Sequence, residues 1–228
     1  MTYPVFNIFY SFLSALALFF TAWRIQLYYW KSFSLLAKHF RDMSFSAGVG
    51  SLIQAFVFLL FFNDPIILGV GAIIGGVFVF IAHVFGVVIF FHLVFPTIPS
   101  IKILTIGLLL VAVVTLCHIK LIPQPEINES GLIEFNFLPF TKIVFFAFST
   151  VGLLPLGIAF IHEAITTERL RIRSGFSAFA FLFLALANGL QAVVGPPLYA
   201  LAFIFLPSIA YIMLVAAVIL RVEAPPTE

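Results

Sequence analysis

Apolar residues occur in this chain in long unbroken runs, separated by short clusters of charged, aromatic and turn-forming residues. A helix needs about 20 apolar residues to cross the hydrocarbon of a bilayer. Seven runs approach or exceed that length, at about 5–23, 43–62, 66–95, 103–119, 138–161, 174–194 and 198–220. None carries Asp, Glu, Lys or Arg in its central part. The runs are continuous rather than alternating, which predicts helices and not the strands of a barrel wall. The pattern therefore predicts an all-α integral membrane protein: a bundle of seven transmembrane helices forming a single domain over residues 1–228.

Turn chemistry separates the runs. Asn63-Asp64-Pro65 ends the second, Pro96 and Pro99 close the third, and Pro196-Pro197 divides the last two. The third run is longer than a span requires and is expected to tilt or project past the lipid. The one long connection, about 120–137, holds the turn signal Asn128-Glu129-Ser130-Gly131. Apolar and polar residues then alternate nearly regularly from Leu132 to Phe137. This predicts a short hairpin that caps one end of the bundle. The segment 28–41 mixes aromatics, leucines and cations; it either continues the first helix or lies along the headgroups.

Composition agrees with lipid as the solvent. The chain is 63% hydrophobic and 9% charged, against roughly a quarter charged in soluble domains. Its single cysteine, Cys117, excludes an internal disulfide. The first run has neither a basic leader nor a small-residue cleavage site, so it is expected to be retained as a span.

Charge sets the expected orientation. With seven spans, Arg24, Lys31, Lys38, Arg41, Lys102, Arg169, Arg171, Arg173 and Arg221 fall on one face, and only Lys120 and Lys142 on the other. Basic loops stay cytoplasmic. The N-terminus is then outside and the C-terminus inside, with the plasma membrane of a prokaryote as the expected location. Trp23, Tyr28, Tyr29 and Trp30 cluster at the inner end of the first span, where amphipathic rings settle.

The uncharged span centres lack the groups that ion-coupled transporters and most membrane enzymes use. His83 and His92 share one span, but nine residues turn a helix by about half a revolution, so the two cannot ligate one ion. His162-Glu163 lacks the second histidine of the zinc protease signature, since position 166 is Thr. No serine sits in a Gly-x-Ser-x-Gly elbow. No catalytic residue, metal, cofactor or nucleic-acid partner is expected. His162 near a helix C-terminus favours the helix dipole, and Glu163, Glu168 and the neighbouring arginines read as a solvated loop.

Gly48-Val49-Gly50-Ser51 lies inside a span and reads as a helix-packing element, not a phosphate cradle. Gly71 and Gly75 are spaced for close helix contact, within the chain or in a homo-oligomer.

The intramembrane polar residues are the candidate site. Gln54, His83, Asn188 and Gln191, with Tyr199, must face the bundle interior, because an unpaired amide in hydrocarbon costs several kcal/mol. Two readings stay open: a pocket lidded by the long loop, or hydrogen bonds that hold helices together. With no formal charge in its wall, such a pocket suits a small, mostly apolar ligand.

Two seven-span families fail on particular residues. A retinal protein needs a lysine in the last span, and 198–220 contains none. The Pro123-Gln124 pair lies in the long loop, not in a span as in PQ-loop transporters. No matching pair of broken helices marks a three-plus-one-plus-three repeat.

A further set of features runs through nearly the whole chain. These are the basic segment 24–41, Phe45-Ser46-Ala47-Gly48 opening the second span, the turn Asn63-Asp64-Pro65, and the prolines after the third span. Gly131-Leu132-Ile133 in the loop and the basic turn Glu168-Arg169-Leu170-Arg171-Ile172-Arg173 complete it. In this set the chain resembles the seven-span N-terminal sensor region of bacterial and archaeal histidine kinases. The resemblance implies a bundle that senses an outer or intramembrane stimulus and passes it to a cytoplasmic output domain. No kinase or signalling helix follows Leu220 in this sequence, so a separate cytoplasmic partner, or a longer chain, is expected to supply the output. Arg169, Arg171 and Arg173 are the expected partner-binding residues. A small facilitator of uncharged or lipid-like cargo and a structural subunit of a membrane complex are the alternatives.

Overall fold

The structure is a computed structural model describing residues 5–127, 133–193 and 205–220, with the side chains of 127, 134, 169 and 191–193 outside that description. The described chain is helical apart from one small hairpin. Its helices are α1 (Val5–Ser32), α2 (Leu35–Phe61), α3 (Pro65–Val94), α4 (Ser100–Lys120), α5 (Pro139–Thr166), α6 (Arg171–Val193) and α7 (Leu206–Ile219). Strands β1 (Pro125–Ile127) and β2 (Ile133–Phe135) pair antiparallel between α4 and α5, with Glu126 opposite Glu134. A single 3-10 turn, Glu168–Leu170, joins α5 to α6.

Helices α1 to α6 are each long and apolar enough to cross a membrane, which marks a multi-pass membrane protein. Helix α7 has 14 residues and is shorter than the run 198–220 from which a seventh span was expected. It begins at Leu206, with Pro207 in the first turn, where a missing N–H costs no helical hydrogen bond. Residues 194–204, with the Pro196-Pro197 divide, lie outside the described residues.

The segment 28–41 continues the first helix only as far as Ser32. It is split between two helices by a tight turn at Phe33, whose φ of 51° is left-handed. Ser34 then caps α2, its hydroxyl accepting from the Ala37 N–H. The turn folds Arg41 back onto α1, where it donates to Gln26 Oε1 at 2.7 Å and lies over the Tyr29 ring at 5.5 Å. Arg41 also pairs with its neighbour Asp42. The opposite turn, between α2 and α3, uses Asp64: its Oδ1 accepts from Ile66 and Ile67 N–H groups, both at 3.0 Å, with Pro65 following. Asp at an N-cap and Pro just after it are both favoured at a helix start.

Six helices form a closed ring in the order α1, α2, α3, α5, α6, α7, and α7 returns to α1. Helix α4 packs on the outside of α3. Glycines set the closest approaches. A Cβ on Gly50 would stand 2.6 Å from the Gly75 carbonyl oxygen, and one on Gly71 would stand 2.5 Å from Val57. The small-residue stripe Gly71/Gly75 is thus used inside the chain, between α2 and α3. On the α3–α5 seam, a Cβ on Gly152 would lie 3.1 Å from the Val87 nitrogen and 3.2 Å from the Gly86 carbonyl carbon.

The two ends of the ring differ. One carries the hairpin with Lys120 and Lys142; the other carries Lys31, Lys38, Arg41, Lys102, Arg171 and Arg173. We refer to these as the hairpin end and the basic end. The main apolar core lies toward the basic end, where Phe160 and Phe181 stack at 5.7 Å with ring planes 5° apart. Phe40 joins both at 6.0 Å. Glu163 is part of this end, but not as a solvated loop residue: its Oε2 accepts from the buried Ser174 hydroxyl at 2.8 Å and ties α5 to α6.

Candidate functional site

The ring, with Val111, Val114, Thr115 and His118 of α4, walls a cavity of about 330 Å³ that extends from beneath the hairpin down to Met43, Leu153, Phe181 and Leu214. Those four residues also belong to the apolar core, so the aromatic plug at the basic end is the cavity floor. At the hairpin end, Phe135 and Phe137 form the roof.

Reciprocal amide bonds hold the roof down. Asn7 Nδ2 donates to the Ile133 carbonyl at 3.3 Å, and the Ile133 N–H donates to Asn7 Oδ1 at 3.2 Å. Phe135 meets Phe58 of α2, and Phe137 meets the His118 ring edge-on at 5.4 Å. His118 is buried at the end of α4, and its Nε2 lies 2.6 Å from Thr141 Oγ1 on α5. That pair anchors both flanks of the hairpin.

A second polar cluster lies deeper. His83 on α3 holds its Nδ1 2.7 Å from the Val79 carbonyl. A carbonyl only accepts, so Nδ1 carries the proton and Nε2 is left as an acceptor. Asn188 on α6 supplies the donor, its Nδ2 3.0 Å from His83 Nε2 and 2.8 Å from Ser149 Oγ on α5. Ser149 is fully buried. Phe145 packs on the imidazole, with ring centroids 4.6 Å apart. Three helices are joined by side chains without a formal charge, and His83 and Asn188 also line the cavity.

The expected pocket residues divide as follows. His83 and Asn188 are brought together. Gln54, half-buried on α2, lines the same cavity and passes the Gly75 backbone, but it does not join the His83 cluster. The Gln191 side chain and Tyr199 lie outside the described residues, as does the Arg169 side chain. Arg171 is exposed and Arg173 half-buried at the start of α6, on the basic end. Asn188 joins helices through its two amide contacts and also stands in the cavity wall.

Sequence reasoning missed Asn7, Tyr10, Ser11, Ser44, Ser51 and Tyr211, all of which line the cavity. It also missed His39. That residue is buried against Phe85, and neither ring nitrogen has a partner among the described residues. Polar residues inside the first and last apolar runs were the available signal for Asn7, Tyr10 and Tyr211.

Among the described residues, no group of three or more His, Cys, Asp or Glu side chains is placed to hold a metal ion. Lys142 is the one charged side chain in the described cavity wall, and it is exposed at the mouth. The wall can offer hydrogen bonds and apolar contact to a neutral molecule. No protein-family model matches the chain, and no curated protein matches it by sequence.

Proposed function

We propose that this chain is a non-enzymatic, seven-span membrane sensory module, with the N-terminus outside and the C-terminus cytoplasmic. It binds a small, uncharged, mostly apolar ligand in the cavity and signals through its basic face. The observation that carries the reading is the cavity itself: closed by aromatic side chains at the basic end, roofed by a hairpin at the other, and walled by paired neutral polar groups. The segregation of nine basic residues from two supports the orientation.

The proposed mechanism is a population shift. A ligand touching Asn188 and Gln54 favours one arrangement of α2, α3 and α6. Helix α6 carries that change to Arg171 and Arg173 at its other end, beside the turn bearing Arg169, where a cytoplasmic partner would bind.

The test uses fluorophores on single cysteines in a Cys117→Ala background. A neutral, water-soluble short-chain diol is titrated against a label at Gln54→Cys and, separately, at Arg173→Cys. Spectral change at both sites supports the module. Change at Gln54→Cys with silence at Arg173→Cys gives a pocket without output and overturns the sensory reading.

A second reading is favoured by one feature, the exclusion of α4 from the ring. It leaves α1–α2–α3 and α5–α6–α7 as two three-helix units facing each other, an arrangement suited to a small facilitator of uncharged cargo. Diol flux in proteoliposomes that is lost with Gln54→Leu or Asn188→Leu would favour it.

A further inference from the structure

The two seams that join the three-helix units are built differently. On the α3–α5 seam a Cβ on Gly152 would stand 3.1 Å from the Val87 nitrogen, and α4 backs the same seam, its Val111 packed with Phe80 of α3 and with Val144 and Phe145 of α5. On the α1–α7 seam a groove of about 300 Å³ opens instead. Its walls are Leu13, Leu16, Ala17 and Phe20 from α1, and Ser208, Tyr211, Ile212 and Val215 from α7. Each set follows the i, i+3, i+4, i+7 spacing of one helix face. The stripe is therefore about 10 Å long at the helical rise. Leu16 and Ile212 are well exposed, 68% and 62%, so the groove faces outward into the hydrocarbon.

Tyr211 lies in the wall of this groove and in the wall of the central cavity. One side chain thus separates the lipid phase from the enclosed polar space. The groove is apolar apart from Ser208 and the tyrosine hydroxyl, whereas the cavity beyond it offers Tyr10, Ser51, Gln54 and Asn188.

We propose that the α1–α7 groove is a lateral portal for a neutral single-chain amphiphile of the bilayer, of the monoacylglycerol class. Its chain lies in the groove and its hydroxylated head passes Tyr211 into the cavity. The head is uncharged because the described wall has no acidic group and only the exposed Lys142 as a cation. Water-soluble molecules reach the cavity from the hairpin end, whereas an amphiphile already in the bilayer enters laterally at this seam, because α4 backs the opposite one. The inference names the ligand class for the cavity and rests on the ligand-binding reading above.

The test is photolabelling of the full chain in phosphatidylcholine proteoliposomes with two probes. One is a monoacylglycerol with a diazirine at its chain end; the other is a water-soluble short-chain diol bearing the same diazirine. Adducts are mapped by mass spectrometry. The lipid probe is expected to label the peptides of α1 and α7 that line the groove in preference to the lipid-facing surface of α4 around Leu109. Its head is expected to displace the diol from the cavity. Ala17→Trp and, independently, Ser208→Trp fill the groove and should abolish both effects, while Leu109→Trp changes neither. Equal labelling of α4 and the groove, or displacement that survives both groove variants, overturns the portal while diol labelling of the cavity leaves the pocket intact. If neither probe labels cavity residues, the ligand-binding reading itself fails, and the portal with it.

Discussion

Asn188 on α6 donates to Nε2 of His83 on α3, 3.0 Å away, although α3 and α6 are not neighbours in the ring. The bond passes in front of α5 and takes in Ser149 on the way. One amide therefore fixes the spacing of three helices and forms part of the cavity wall. Asn188→Leu would leave Nε2 of a buried imidazole without a donor, a loss of about 1–3 kcal/mol. A lowered melting temperature in detergent measures it. His83→Leu combined with Asn188→Leu should cost less than the sum of the two single changes, because the orphaned partner is removed as well. Additive losses would mean the two side chains act independently.

Gly50 and Gly175 make a matched pair of alanine substitutions. A Cβ at position 50 would meet the Gly75 carbonyl oxygen at 2.6 Å, while one at position 175 would meet nothing within 4 Å. Gly50→Ala should force α2 and α3 apart and destabilise by about 1–3 kcal/mol, as overpacking does. Gly175→Ala should be neutral or stabilising by up to about 1 kcal/mol, the usual gain of Ala over Gly in a helix. Thermal unfolding of the two variants checks both signs.

The hairpin is held through His118 and Thr141, 2.6 Å apart. Thr141→Val keeps the shape and removes the hydroxyl. It should loosen the roof without unfolding the ring. Limited proteolysis between α4 and α5 should become faster in Thr141→Val, and the melting temperature should fall by the amount that about 1–3 kcal/mol implies, since Nε2 of the buried His118 loses its partner.

The aromatic floor separates the cavity from the basic end. Removing a fully buried phenyl ring costs about 3–5 kcal/mol in soluble cores; Phe160 is half-buried, so Phe160→Ala is expected to lower stability by less than that and leave the protein folded. It should also make a cysteine at Met43, in the cavity floor, reactive to a polar thiol reagent added on the basic side. An unreactive Met43→Cys in a folded Phe160→Ala protein would show that other residues close this end.

The apolar runs were legible because lipid imposes a composition that no other solvent does, and the turn at Asn63-Asp64-Pro65 falls where its residue types require. The hairpin was legible from the turn residues 128–131 and the alternation after them, and strands flank that turn. The break at Phe33 was not, since a left-handed phenylalanine carries no Gly or Pro signal. Hydroxyl partners were hidden for a different reason. Ser14, Thr21, Thr105 and Thr115 each donate to the carbonyl four residues earlier. A serine in an apolar helix therefore satisfies itself by default, and nothing in its sequence context sets Ser149 or Thr141 apart. Gln54, His83 and Asn188 were legible because their side chains carry more polar atoms than a helix can satisfy locally. Their order around the ring was not, because apolar faces of similar composition do not specify neighbours.

Gln54 of α2 lines the cavity, so its accessibility shows whether the cavity is reached from the hairpin end and closed at the basic end. Gln54→Cys in a Cys117→Ala background would be exposed to a membrane-impermeant thiol reagent in vesicles of known sidedness. Modification is expected from the side bearing Lys120 and Lys142, with protection by the neutral diol, and none from the side bearing Arg171. Modification from the Arg171 side, or from neither side, would contradict that route.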